Sequence, residues 1–185
     1  MSLATCYVRF HSPIGPLLLV GAGDALSAVG LPSGRDTFEP RADWVETAAP
    51  FAETIRQLDA YFAGALRRFD LLLAPEGTPF QQRVWRALVD IPYGETVSYA
   101  ELARRIGRPA AVRAVGAANG QNPLAIVIPC HRVIGSDGRL VGYGGGLAVK
   151  AALLELERGV SRPSGGPRQP PLFSAFDPGG RDVRP

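Results

Sequence analysis

The sequence predicts an α/β protein built in two parts, a small sheet-plus-helix domain over residues 1–74 and a mostly helical domain over residues 79–160. Three observations carry this. Short alternating segments punctuated by turn residues fill the first third of the 185-residue chain. Apolar residues then recur at helical spacing in separate segments. Two short, well-delimited helical segments follow one another in the second part, with the composition of a helix-turn-helix.

Taken in order, Thr5 to His11 alternates as a strand, and Ser12-Pro13-Ile14-Gly15 reads as a turn. Pro16 to Val20 and Ala25 to Leu31 give two further strands of a meander. From Ala49 to Phe62, the residues Phe51, Ile55, Leu58 and Phe62 make one apolar stripe of a helix. Arg68 to Leu73 reads as another strand. No set of side chains in this half suggests catalysis, so its expected role is structural support.

Residues 75–78 form the linker, within which Thr78 caps a helix that Pro79 opens. Phe80, Val84 and Leu88 share a face of it, and Trp85 fits the core better than a ligand platform. Ser98 with Glu101 three residues on is a capping box, which starts a helix from Tyr99 to Ile106 that stops at Gly107. Pro109 opens a second helix, Ala110 to Ala118, ending at Asn119-Gly120. This second helix is nearly free of bulk, with Arg113 its one long cation and Ala114 beside it. Small side chains allow close approach to a surface, but they cannot read base edges in a major groove. Sequence-neutral contact in the minor groove of double-stranded DNA suits such a helix better.

The chemistry centres on Ile126-Val127-Ile128-Pro129-Cys130-His131-Arg132-Val133. The β-branched run favours an extended buried path. Pro129 ends it, so the sulfur of Cys130 is expected at the floor of a pocket. A cysteine is a strong nucleophile only as the thiolate and needs a base or a positive charge nearby. His131 and Arg132 are candidates. Adjacent residues of an extended chain point to opposite faces, so His131 would act through a water or a locally bent backbone. A buried structural cysteine is the plain alternative.

Composition bounds the reading further. A hydrophobic content of 46% is enough for a real core. The sequence has no apolar run long enough to span a bilayer, and its start lacks the pattern of a signal peptide, so a cytoplasmic location without membrane contact is expected, nucleoid-associated if the source is bacterial. Cys6 and Cys130 are too few for a disulfide scaffold. A metal site would need both of them with His11 and His131, consuming the nucleophile, so no metal and no cofactor are expected. The net charge of +3 is unevenly spread: residues 1–78 carry −3, residues 79–160 +4 and residues 161–185 +2. The basic excess therefore lies with the motifs, as a phosphate-binding surface requires. Residues 161–185 are rich in Pro, Gly and Arg and read as a flexible tail, with 172–176 its one apolar patch.

From about Thr78 to Gly159 the chain resembles the O6-alkylguanine-DNA alkyltransferase family. The resemblance rests on Pro129-Cys130-His131-Arg132-Val133 together with Arg83-Val84-Trp85, Ile91-Pro92-Tyr93-Gly94, Ser98-Tyr99, Arg113-Ala114-Val115-Gly116, Asn122-Pro123 and Gly142-Tyr143-Gly144-Gly145-Gly146. It implies a ribonuclease-H-like N-terminal domain and a winged-helix-like helix-turn-helix, as well as direct-reversal repair. Cys130 would take the alkyl group from O6-alkylguanine, with O4-alkylthymine a second substrate to consider, and would keep it as a thioether. It further implies that Arg113 fills the space of a flipped nucleotide and that Tyr99 sits near the rotated phosphate and the base N3. Glu157, which the motif spacing selects over the competing Glu155, would orient His131, and Asn122 would brace the turn. The backbone near Cys130 and Val133, with the loop of Tyr143, Gly144 and Gly145, would recognise guanine. Family members often have serine where Gly144 stands. The protein would act once, as a monomer, with cooperative assembly on DNA left open. The rival readings are a cysteine hydrolase, which would turn over repeatedly, and a noncatalytic lesion-binding protein, against which Cys130 itself counts.

Overall fold

The computed structural model describes residues 4–161; the apolar patch at 172–176 and the rest of the tail lie outside them. Three strands form the meander, β1 (Thr5–Ser12), β2 (Gly15–Ala22) and β3 (Ala25–Gly30), each antiparallel to the next. The two-residue β4 (Val45–Glu46) adds in parallel to β1, giving the order β3-β2-β1-β4. The central strand β2 is buried over Leu17 to Gly21, as its continuous apolar run requires. A turn of 3₁₀ helix at Ala49–Phe51 leads into α1 (Ala52–Phe62), whose inward face includes Leu58 and Tyr61 at 0% exposure.

Arg68 to Leu73 is not a strand. Only Leu73 bridges, to Leu26, and the flanking backbone bonds are Leu26 N–H to Leu72 O and Ala74 N–H to Leu26 O. Gln57 on α1 satisfies both backbone groups of Asp70 through its side-chain amide. That satisfies the backbone groups of Asp70 without a ladder.

The second half opens with α2 (Pro79–Val89), where Thr78 and Gln81 close a full capping box. Trp85 is core, and its indole N–H donates to Ala118 O at 2.8 Å. Next come β5 (Val97–Ser98), α3 (Tyr99–Arg105) and α4 (Val112–Gly120). The Ser98 hydroxyl accepts from the Glu101 N–H as expected. The reciprocal half of that capping box is missing, because the Glu101 carboxylate pairs with Arg104 and Arg105 instead. The second helix also starts at Val112 rather than Ala110 and runs on to Gly120. The turn before it is closed by the Ala111 N–H bonded to Arg108 O, which places Pro109 in the turn rather than at the helix start.

The run ahead of Cys130 is buried, as expected, but it is not extended. Ile126 has φ 75°, rare for a β-branched residue, and Ala125 pairs with Ile128 across the resulting tight turn. Pro129, at φ −80° and ψ 62°, is the centre of an inverse γ-turn closed by the Cys130 N–H on Ile128 O at 2.8 Å. Cys130–Arg132 then make one turn of 3₁₀ helix. Bending of the backbone, one of the two expected routes, thus frees Cys130 and His131 from pointing to opposite faces.

The pair β5 and β6 (Val133–Ile134) runs parallel. The last helix, α5 (Leu147–Ser161), continues past Gly159, so Glu157 does not end it and lies within its final turns. One continuous apolar core joins both halves. At their junction Val29 of β3 donates to Pro123 O and bridges Leu124.

Candidate active site

Asn122 fixes the floor of the site. Its amide donates to Ile128 O at 2.8 Å and accepts from the Leu124 N–H at 3.1 Å, which pins both ends of the strained turn. The Asn119 amide reaches Cys130 O at 3.5 Å from the end of α4. Cys130 is 5% exposed. Burial pushes its thiol up to about 11; the Asn122 amide and the Lys150 ammonium pull it down, and the Asp36 carboxylate pushes it further up. The resting sulfur is therefore a neutral thiol and needs a base.

His131 is fully buried beside it. Its Nε2 lies 2.9 Å from Glu157 Oε1, and a carboxylate accepts, so the proton is on Nε2. Burial outweighs the pull of Glu157 and lowers the imidazole pKa below its ordinary value. The ring is neutral, with the lone pair on Nδ1, and that buried atom has no hydrogen-bond partner among the described residues.

Glu157 itself is 0% exposed. Besides His131 it accepts two hydrogen bonds from the Arg132 guanidinium at 2.9 Å, one from the Tyr61 hydroxyl at 2.8 Å and one from the Gly94 N–H at 3.0 Å. Burial pushes this carboxyl up, but the bonds and charges of His131 and Arg132 outweigh it and hold the carboxyl well below the usual range. Arg132 also donates to Ile91 O at 2.6 Å and lies over the Tyr93 ring. The competing Glu155 is exposed.

Lys150, which sequence reasoning missed, is buried in the first turn of α5. Its ammonium donates to Val133 O at 2.6 Å, Val141 O at 2.7 Å and Gly142 O at 3.2 Å. Burial lowers it to about 8. A lysine opening an apolar helix gave no signal of this; only the three carbonyls converging on it do. Tyr61, some 96 positions from Glu157 in sequence, was equally invisible.

The other expected residues gather around this core. Val133 is buried, and Gly144 and Gly145 are buried in the loop ahead of α5. The Tyr143 hydroxyl is buried without a hydrogen-bond partner among the described residues. Tyr99 packs its ring over Gly116 and donates to Val141 O at 3.3 Å, and Ser98 caps its helix. On α4 the side chains divide cleanly: Val115, Ala118 and Asn119 face inward, whereas Arg113, Ala114 and Ala117 are exposed. Two surface grooves run along α2 and the approach to α4 and share Pro79 and Arg83 in their linings; Cys130 lines neither.

Comparison with known proteins places this arrangement. Residues 5–75 match the ribonuclease-like domain of 6-O-methylguanine DNA methyltransferase and residues 79–159 match its DNA-binding domain. A methylated-DNA–protein-cysteine methyltransferase of Methanosarcina acetivorans is 55% identical, covering 82% of this chain and 97% of its own length. One of Mycobacterium tuberculosis is 56% identical, covering 82% and 92%. The crystal structure of the M. tuberculosis O6-methylguanine methyltransferase superposes with a TM-score of 0.79 at 52% identity, covering 87% of this chain and 96% of that one. A crystal structure of the M. tuberculosis protein in complex with DNA gives 0.77 at 52% identity, covering 84% and 94%. The chain belongs to the 6-O-methylguanine DNA methyltransferase family.

Proposed function

We propose that this protein repairs DNA by direct reversal, moving the alkyl group of O6-alkylguanine irreversibly onto Cys130. The observation that carries the reading is a buried thiol next to an imidazole whose Nε2–H is held by Glu157 and whose Nδ1 lone pair is uncommitted. A water between Sγ and Nδ1 would pass the thiol proton to His131. The thiolate then attacks the alkyl carbon, the S–C bond forms as the C–O6 bond breaks, and the electron pair stays on the base. Tyr99 donates toward the base N3 as guanine leaves, and Lys150 offsets charge on the sulfur.

The target oxygen lies inside the base stack, so the nucleotide must be extruded first, at a cost of a few kcal/mol. Exposed Arg113 on the alanine face of α4 suits the vacated space, and close approach of that face suits the minor groove. Arg83, Arg86 and Arg108 are exposed nearby and have no acidic partner among the described residues, as phosphate contacts require. A thioether is a poor leaving group, so each molecule acts once, without a cofactor. A free thiol persists in a reducing compartment, which supports a cytoplasmic location.

Reaction with a tenfold excess of duplex carrying O6-methylguanine tests this. Repair should stop at one methyl group per protein molecule. Continued turnover would indicate a hydrolase, and lesion binding without loss of methyl a noncatalytic sensor; either result would overturn the reading.

A further inference from the structure

The connection between β3 and β4 does more than link strands. From Leu31 to Thr37 it leaves the N-terminal sheet and lies against the loop of Gly142 to Gly146. It is closed on itself by the Leu31 N–H on Asp36 O and the Thr37 hydroxyl on Leu31 O. It is tied outward at three points. The Ser33 hydroxyl donates to Gly145 O at 3.0 Å, the Asp36 N–H to Gly144 O at 3.3 Å, and Arg35 Nη2 to Gly120 O at 2.7 Å, on the last residue of α4.

The contact is tight enough to dictate residue type on both sides. Gly34 has φ +83°, and a Cβ there would collide with Gly144 O. A Cβ on Gly144 would fall into the carboxylate of Asp36. That carboxylate is three-quarters buried, with 24% of its side chain exposed, and its Oδ1 lies 3.7 Å from Arg35 Nε. A buried carboxylate with one distant partner is costly, so it needs a reason to stand against a bare backbone.

We propose that Asp36 is a positioning residue for alkyl transfer: seated on the Cα of Gly144 and paired with Arg35, it fixes the substrate loop over Cys130 and links that loop to the end of α4. This rests on the alkyl-transfer reading and assigns the N-terminal half a part in the reaction. Among the described residues, the charged and titratable groups that bear on the sulfur are Asp36 from this connection and Lys150 from α5, with Tyr99 from α3, Tyr143 from the loop itself and the neighbouring His131. Of these, Asp36 and Lys150 carry charge at neutral pH and oppose each other.

The test compares the unaltered protein with Asp36→Ala, Asp36→Asn, Gly144→Ala and the double variant Asp36→Ala/Gly144→Ala. Three quantities are read: single-turnover methyl transfer at saturating O6-methylguanine duplex, affinity for undamaged duplex, and the pH dependence of Cys130 alkylation by iodoacetamide. Asp36→Ala should slow saturating transfer on the order of tenfold while affinity for undamaged duplex stays within about twofold. Asp36→Asn keeps the shape and should retain more of the rate, but move the thiol titration to lower pH. Gly144→Ala should slow transfer in the unaltered background and cost little once Asp36 is Ala, a non-additivity expected of groups in contact.

Transfer by Asp36→Ala at the unaltered rate would overturn the proposal, as would an unmoved thiol titration in Asp36→Asn or an equal cost of Gly144→Ala in both backgrounds. If the unaltered protein transferred no methyl at all, the alkyl-transfer reading would fall and the proposal with it.

Discussion

With its thiol pushed up to about 11 by burial, Cys130 carries almost no thiolate at neutral pH in the free protein. The rate of its alkylation by iodoacetamide should therefore keep rising with pH through 9 and level off only near 11; a plateau near 8 would contradict the geometry. The Glu157 carboxylate is the other residue on which much depends. Its folded pKa is depressed, so its contribution to stability is present above the ordinary 4.5 and is lost as the pH falls through the folded value. Glu157→Gln leaves the Arg132 guanidinium buried and unpaired, and should cost about 3 kcal/mol at pH 7 in urea denaturation. The gap to the unaltered protein should narrow at pH 3. The sequence makes Cys130 and His131 legible because they are adjacent in an apolar run, and the family spacing points to Glu157 over Glu155. Lys150, Tyr61 and Asp36 were not legible, since each acquires meaning only from groups brought in by the fold.

Among the elements, α4 bears the most on function. Its exposed face of Arg113, Ala114 and Ala117 is backed by Val115 and Ala118, which lock it onto α2 through the Trp85 indole. Arg113→Ala should weaken duplex binding about tenfold at low salt and lower the salt-dependence slope by about 0.9. It should also slow transfer from duplex DNA while leaving reaction with free O6-alkylguanine intact. Equal loss on both substrates would contradict a role in extrusion. Helices announced by caps and punctuation were readable: Thr78-Pro79 for α2, Ser98 and Gly107 for α3. The start of α4 was misplaced because Pro109 is as favourable in a turn as at a helix start. The apolar alternation of Arg68 to Leu73 suggested a strand, but Gln57 on α1 supplies hydrogen bonds that a ladder would otherwise provide. Propensity favours an extended path for the β-branched run before Cys130, and Asn122 and Pro129 override it locally.

At the scale of the whole molecule, the N-terminal half proves to be part of the site. Tyr61 on α1 reaches the carboxylate that holds His131, β3 bridges Leu124, and the connection carrying Asp36 rests on the substrate loop. Support alone, the role expected for this half, understates it. Because the two halves share one core, urea unfolding of Tyr61→Phe followed by tryptophan fluorescence should remain one transition, shifted down by about 1–2 kcal/mol. Two separate transitions would contradict a shared core. All of this converges on one sulfur atom as the acceptor of the alkyl group. The most direct measurement is peptide mass mapping after reaction with a duplex containing a single O6-methylguanine. The account predicts one added methyl group, on the peptide bearing Cys130, and none in Cys130→Ala, which should still bind the duplex. Methyl found on Cys6 or on no residue, with the lesion nonetheless removed, would contradict it.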